Sequence, residues 1–447
     1  MKGDDMSEET LRAEIIAKVR EYYRLVHQPE QEEPFVPGSS YINYAGRMYD
    51  DEDMALLTDA ALEFWLTHGR YARQFERDLG EWLGTRFVLS VNSGSSANLL
   101  AFMALTSPLL KERRIERGDE VITVAAGFPT TVAPIIQYGA VPVFVDIEAT
   151  TANIDPTLLE AAWSPRTKAV MLAHTLGNPF DLEAVTDFCQ RHGLWLVEDN
   201  CDALGSRFAG RPTGTWGDLG TSSFYPPHHI TTGEGGAVYT DDPLLHKIAL
   251  SLRDWGRDCW CQSGADNTCG CRFSGQFGTL PFGYDHKYVY SHFGYNLKPT
   301  DLQAAIGCAQ LAKLPHFGEC RRRNFQRLYE RLAETSFLRL PAWHRQSDPS
   351  WFGFLIQVHE SAPFSRNDLT EHLEAHGIQT RNLFAGNLTR HPCFDSLVAG
   401  RDYRLATPLP QTDAIMQQAF WIGLYPGMSE AKIDYMTDVI SDFIASR

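Results

Sequence analysis

"SFYPPHHITTGEGG", Ser223 to Gly236, decides how this chain is read. A Ser-Phe-Tyr strand end runs into a Pro-Pro turn and leaves through a glycine-rich exit, the layout of a reactive loop at the end of a strand. Its centre holds two histidines, His228 and His229, and no lysine occurs between Lys168 and Lys247. The loop has the shape of one that carries an amine, yet the amine is missing.

Outward from this loop the chain alternates. The runs "RFVLSVN", "DEVITVAA", "VPVFVDI", "KAVMLAHT", "LWLVED", "GTSSFY" and "GGAVYT" are short, β-branched and aromatic. Helical stretches such as "SSANLLAFMALT" and "DLEAVTDFCQRHG" separate most of them. Such alternation predicts an α/β fold with a mainly parallel sheet covered on both faces. Three parts are expected: an N-terminal helix and extended segment over 1–54, a large domain over 55–310, and a smaller C-terminal α/β domain over 311–447 containing "WFGFLIQV".

The bulk numbers fit an ordinary globular enzyme: 447 residues, 43% hydrophobic and 21% charged. A formal charge of -16 argues against nucleic-acid or anionic-membrane partners, which need clustered Lys and Arg. The basic runs "KERRIERG" and "CRRRNFQR" read as solvated helix faces. "MKGDDMSEETLRAEII" lacks the apolar centre of a signal peptide, and no run reaches the roughly 18 apolar residues of a membrane span. A cytoplasmic location is expected. Nine cysteines then point to thiols or metal ligands rather than to a disulfide framework.

In a parallel α/β sheet, ligands collect at the carboxyl ends of strands. Three elements lie at such ends. "VNSGSSAN", Val91 to Asn98, joins a strand to a helix start whose amides suit a phosphate; its plainer reading is a turn capped by Ser95 or Ser96. In "WLVEDNCDALGS", Glu198 and Asp199 close an apolar strand, where a carboxylate suits a protonated ring nitrogen as well as it suits a cap or an ion pair. The third element is the opening loop, with Ser223 and His228.

Phosphate cradle, ring-nitrogen acid and glycine-rich loop, in that order, resemble the fold-type I vitamin B6 enzymes, and among them the nucleotide-sugar aminotransferase family. That family's loop reads Ser-Phe-x-x-x-Lys-x-x-x-x-x-Glu-Gly-Gly, and His228 falls on the lysine position. The resemblance implies that Gly94 and Ser95, helped by Ser223, hold the cofactor phosphate, that Phe128 stacks on the pyridine ring and that Asp199 pairs with the ring nitrogen. Asp202 stands where the family has His or Gln near the ring hydroxyl. Asn296, in "FGYNLKPTDLQAA", matches an asparagine lent across a homodimer to the partner's phosphate.

An imidazole cannot form the imine that a lysine forms, but its unperturbed pKa of about 6.5 suits a general base. The cofactor expected is therefore pyridoxamine 5'-phosphate (the PMP/PLP pair), held without a covalent bond. His228 would move a proton at C4′, and a 4-keto sugar substrate would lose its 3-hydroxyl rather than gain an amine.

Cys201, Cys259, Cys261 and Cys269 are spaced C-x57-C-x-C-x7-C, without the paired C-x-x-C knuckles of structural zinc. Four thiolates also suit an iron–sulfur cluster. Cys271 is a fifth nearby thiol, while Cys189, Cys308, Cys320 and Cys393 read as structural. Cys201, two residues past Asp199, would place a cluster beside the cofactor. Loop histidine, cysteine spacing and "GYDHKYVYSHFGYNLKPTD" resemble the CDP-4-keto-6-deoxyglucose 3-dehydrase group. That resemblance implies a [2Fe–2S] cluster and an NADH-dependent flavin/iron–sulfur reductase or ferredoxin-type donor. It also implies a nucleotide-sugar substrate reduced at C3 on the way to 3,6-dideoxysugars such as those of lipopolysaccharide O-antigens. The same deoxygenation of a dTDP-linked 2,6-dideoxyhexose, a cluster-free dehydrase ending in hydrolysis, and a degenerate fold serving as sensor or scaffold are the rivals. The first 50 residues and "LFAGNLTRHPCF", with Arg390, are expected to meet the nucleotide or sugar.

Overall fold

The structure, a computed structural model, describes residues 7–447; the first six residues of the acidic amino-terminal stretch lie outside the described residues. The seven apolar runs form β1 (Phe87–Val91), β2 (Glu120–Val124), β3 (Val141–Val145), β4 (Thr167–Ala173), β5 (Trp195–Asp199), β6 (Leu219–Ser223) and β7 (Gly236–Thr240). Later strands include β8 (Leu338–Arg339), β9 (Gly353–Val358), β10 (Thr380–Asn382), β11 (Arg404–Leu405) and β12 (Ala419–Gly423).

The large sheet runs β1-β7-β6-β5-β4-β2-β3-β11. Only β7 is antiparallel to its neighbours; the remaining strands point one way, so their carboxyl ends share one edge. Both faces are covered, and strands such as β2 and β3 are buried throughout, which is why they read as unbroken apolar runs. Alternate residues feed two cores: Ile122, Val143 and Val170 face one, while Val121, Ala169, Met171 and Val197 face the other. The mainly parallel α/β architecture expected from the alternation, of the fold-type I kind that the resemblance implies, is the one observed.

A second, antiparallel sheet runs β8-β9-β12-β10 over its own core of Phe354, Ile356, Phe420 and Ile422. The helix Asp301–Leu332 connects the two sheets. It carries one correction. The run "CRRRNFQR" is not wholly a solvated face: Arg321 is 1% exposed and donates to the carbonyls of Trp351, Leu424 and His228. A buried guanidinium with its donors on backbone carbonyls fixes where three segments meet. No helix among the described residues is long and apolar enough to cross a membrane.

Candidate active site

The carboxyl edge of the large sheet opens into a cavity of about 510 Å³, lined by Gly94, Ser95, Phe128, Asp199, Asp202, Ser223 and His228 together with residues of the second sheet. Seven of the cofactor-binding and catalytic residues expected from sequence thus meet in one cleft.

The floor is built from β1 and the helix Gly94–Ala104. Ser93, rather than Ser95 or Ser96, caps this helix, its side-chain oxygen accepting from the Ser96 amide at 3.0 Å. That leaves Ser95 free to line the cleft. A helix start has amides with no partner of its own, which suits an anion. Gly94 is required sterically: a Cβ there would stand 2.4 Å from the Ser223 Cβ and 3.1 Å from the Cys201 Sγ. At the glycine-rich exit, a Cβ on Gly236 would lie 2.4 Å from the Ser93 carbonyl, because β7 pairs with β1 there.

β5 separates its two terminal acids by strand alternation. Asp199 turns into the cleft, where Oδ2 accepts from Asn98 Nδ2 and Thr131 Oγ1 at 2.7 Å each and Oδ1 from the Cys201 amide at 3.2 Å. Hydrogen bonds to an ionised group are worth roughly 1.5–3 kcal/mol each, enough to lock this carboxylate. Glu198 turns away, accepting from the amides of Gly214, Trp216 and Gly217 and pairing with buried His174 at 3.0 Å. Its role is structural.

The histidine pair also divides. His229 Nε2 is fixed on the Ser350 carbonyl at 2.6 Å. His228 faces the cavity, its ring stacked on Phe352 at 5.1 Å and its main-chain oxygen held by Arg321. Its Nδ1 is buried without a hydrogen-bond partner and stands 3.6 Å from Asp202 Oδ1. Burial pushes the imidazole down to about 4, against the pull of Asp199, so the ring is neutral at ordinary pH. Burial and the nearby Asp199 charge push the Asp202 carboxyl up to about 8. No lysine lines the cleft among the described residues.

Phe128 precedes the helix Pro129–Tyr138 with 53% of its surface exposed, edge-on to Phe384 at 6.1 Å. Facing it, β10 supplies Arg381 and Asn382, and Tyr44 comes from the amino-terminal segment with the Arg381 guanidinium 4.0 Å above its ring. Arg390 is not part of the cleft lining; it is spent on Asp413 at 2.7 Å. The stretch "LFAGNLTRHPCF" begins at Leu383, two residues past Arg381 of the lining. Asn296 is exposed and outside the lining, its side-chain oxygen accepting from Lys298 at 2.8 Å.

The cysteines fall in two places. The Cys259, Cys261 and Cys269 sulfurs lie within 4.8 Å of one another in an irregular, partly exposed loop. Cys201 is not in that group; it lines the cleft beside Gly94, and burial with nearby Asp199 pushes its thiol well up. The four-cysteine set expected from spacing is therefore not gathered within one chain. The reason is local: the amide of Cys201 is tied to Asp199, so β5 fixes its position. Of the cysteines expected to be structural, Cys189 and Cys320 are buried, Cys308 is half-buried and Cys393 is exposed.

The fold and cleft define a fold-type I B6-type enzyme with histidine at the lysine position. The chain belongs to the DegT/DnrJ/EryC1/StrS aminotransferase family, whose model matches residues 48–441. It is 52% identical over 432 residues to a dTDP-4-dehydro-2,6-dideoxy-D-glucose 3-dehydratase of Saccharopolyspora spinosa, covering 96% of this chain and 92% of that protein. It is 51% identical over 439 residues to the lipopolysaccharide biosynthesis protein RfbH of Salmonella typhimurium, covering 98% and 99%. Among solved structures, it resembles the Escherichia coli GDP-4-keto-6-deoxy-D-mannose-3-dehydratase with bound hydrated PLP. There the TM-score is 0.80 and the identity 29%, over 90% of this chain and 99% of the other.

Proposed function

We propose that the protein removes the C3 hydroxyl of a nucleotide-linked 4-keto-6-deoxyhexose, using pyridoxamine phosphate held without a covalent bond. The observation that carries this reading is a buried, neutral imidazole at the lysine position of a cleft that no lysine lines among the described residues. Relatives named as nucleotide-sugar 3-dehydratases support it and weigh against a scaffold without activity.

The residues present fit the cofactor. Gly94, Ser95 and Ser223 form the phosphate cradle that a Cβ at position 94 would fill, Phe128 offers a ring face, and Asp199 an oriented carboxylate. When bound, pyridoxamine phosphate supplies an amine to meet the ketone and a ring to take up electrons. Asp199 would hold the ring nitrogen in its protonated form. His228 would move a proton from C4′ and supply one to the departing C3 oxygen, so that the hydroxyl would leave as water. Arg381 and Asn382 meet the nucleotide diphosphate, and Tyr44 shapes the sugar end. Asn296, exposed on this copy, reaches the phosphate of a second copy in a homodimer.

The cysteine loop gives this chain a reductive outcome. Three clustered thiols have no use in dehydration alone. They suit an iron–sulfur cluster that passes single electrons from a separate NADH-dependent flavin/iron–sulfur reductase or ferredoxin-type donor. A CDP-linked 4-keto-6-deoxyglucose is the first substrate of this reading. A dTDP-linked 2,6-dideoxy sugar is the second, favoured by the Saccharopolyspora relative. The test is a panel of CDP-, dTDP- and GDP-4-keto sugars with reductase and NADH. The reading expects a reduced 3-deoxy product from the CDP or dTDP sugar; a 3-deoxy ketone with released ammonia, indifferent to reductase, would remove the reductive half.

A further inference from the structure

On the connecting helix, the three consecutive arginines of "CRRRNFQR" meet three different fates. Arg323 is exposed, and Arg322 reaches Asp348 at 2.7 Å near the surface. Arg321 turns inward and is buried. Taking a guanidinium out of water is costly unless its donors are met. Burial pushes this one down to about 9, against the pull of Asp202. Its Nη1 donates to the Leu424 carbonyl at 2.7 Å and to the Trp351 carbonyl at 3.0 Å, and its Nη2 to the His228 carbonyl at 3.3 Å. Leu424 directly follows β12, Trp351 lies just ahead of β9, and His228 is in the reactive loop. One helix position thus fastens that loop to the second sheet.

A buried arginine that ties carbonyls together is ordinarily a structural clasp. Two observations set this one apart. One of its carbonyls belongs to the proposed base, and another to the residue before Phe352, the ring on which the imidazole stacks at 5.1 Å with 25° between planes. The adjoining His229 is tied to the same segment through the Ser350 carbonyl at 2.6 Å. Base and stacking platform therefore form one assembly with the guanidinium at its hub. The second observation concerns the ring itself. Its Nδ1 is buried without a partner, so no hydrogen bond at that nitrogen turns it. The direction of the imidazole then depends on the main chain that carries it and the face on which it rests, and Arg321 holds both.

We infer that Arg321 is the positioning residue of the proton-moving step, aligning the His228 imidazole by clasping its main-chain oxygen to the segment that carries its stacking partner. The inference rests on the reading that His228 moves the C4′ proton. Arg321 lies outside the cleft lining, so it acts through His228 and not on cofactor or sugar.

Solvent exchange at the cofactor C4′, followed by NMR on the full-length protein with a 4-keto sugar, tests this, with pyridoxamine phosphate affinity and sugar KM as controls. Arg321→Met fills a similar space without a donor. Its exchange is expected to fall about 10²-fold, the cost of a base misplaced by about 1 Å, with cofactor affinity and KM within about twofold. Arg321→Lys offers a charged donor without the planar fork and should lose about tenfold; it carries the test if the Met variant fails to fold. In the His228→Asn chain, either substitution should change the residual exchange by less than about twofold, because nothing is left to align. A clasp that is only structural would lower cofactor affinity together with exchange, and would do so in both backgrounds; that result overturns the inference. Normal exchange in the Arg321 variants beside lost exchange in His228→Asn removes the inference alone. Normal exchange in His228→Asn removes the base and the inference with it.

Discussion

The cleft and the cysteine loop are organised by opposite means. In the cleft Asp199 and Ser223 end strands and Gly94 begins a helix, and the two central groups are locked by partners that are themselves buried: Asp199 by Asn98 and Thr131, His228 by Arg321 and Phe352. The loop has almost no regular structure and is largely exposed; it is held by side-chain pairs such as Asp258–His286 and Arg272–Asp285. Under the proposed function, the two parts would draw their precision from different sources. Proton transfer needs preformed geometry, which a sheet edge provides. A metal brings its own geometry, so a loop need only gather the thiols.

The sharpest way to break this division is His228→Asn. Solvent exchange at the cofactor C4′, followed by NMR with a 4-keto sugar, is expected to fall by roughly 10²–10⁴-fold. Cys261→Ser should leave that exchange within about twofold while abolishing reduced product; equal losses would tie loop and cleft into one unit. Gly94→Ala comes next. The added methyl meets Ser223 with nowhere to go, and overpacking of about 1–3 kcal/mol predicts cofactor affinity weakened roughly 10–100-fold by calorimetry, with loop metal content unchanged. Arg381→Ala should raise KM for the nucleotide sugar about tenfold, the loss of one charged hydrogen bond, with kcat nearly unchanged.

The smallest effect is a displaced pH limb. The free-enzyme imidazole is depressed to about 4, so it stays neutral as pH falls past its ordinary value and takes up its proton only near 4. The acid limb of kcat/KM should therefore lie near 4, not near 6.5. A limb at the ordinary value would mean that His228 is not the buried base seen here.

Much of this was legible in the sequence because the sheet is parallel and its strands are buried. Unbroken runs such as "VPVFVDI" mark such strands, and ligands gather at their ends, so position picked out the three elements, and the family resemblance singled out Gly94, Asp199, Ser223 and His228 within them. What escaped depends on contacts between segments distant in sequence. Arg381 becomes visible only when the second sheet brings β10 to the cleft, and Arg321 looked solvated because the three carbonyls it donates to lie on distant segments. The cysteine spacing linked Cys201 to the loop cysteines; the structure places its sulfur beside Gly94 in the cleft, apart from the group of Cys259, Cys261 and Cys269.

The central claim is that an imidazole has replaced the tethering amine. Borohydride reduction of the wild-type protein loaded with pyridoxal phosphate, followed by peptide mass spectrometry, tests it most directly. The account predicts cofactor lost on dialysis and no stoichiometric adduct, with His228→Lys converting position 228 into the site of one. A single fully modified lysine in the wild-type chain would contradict it.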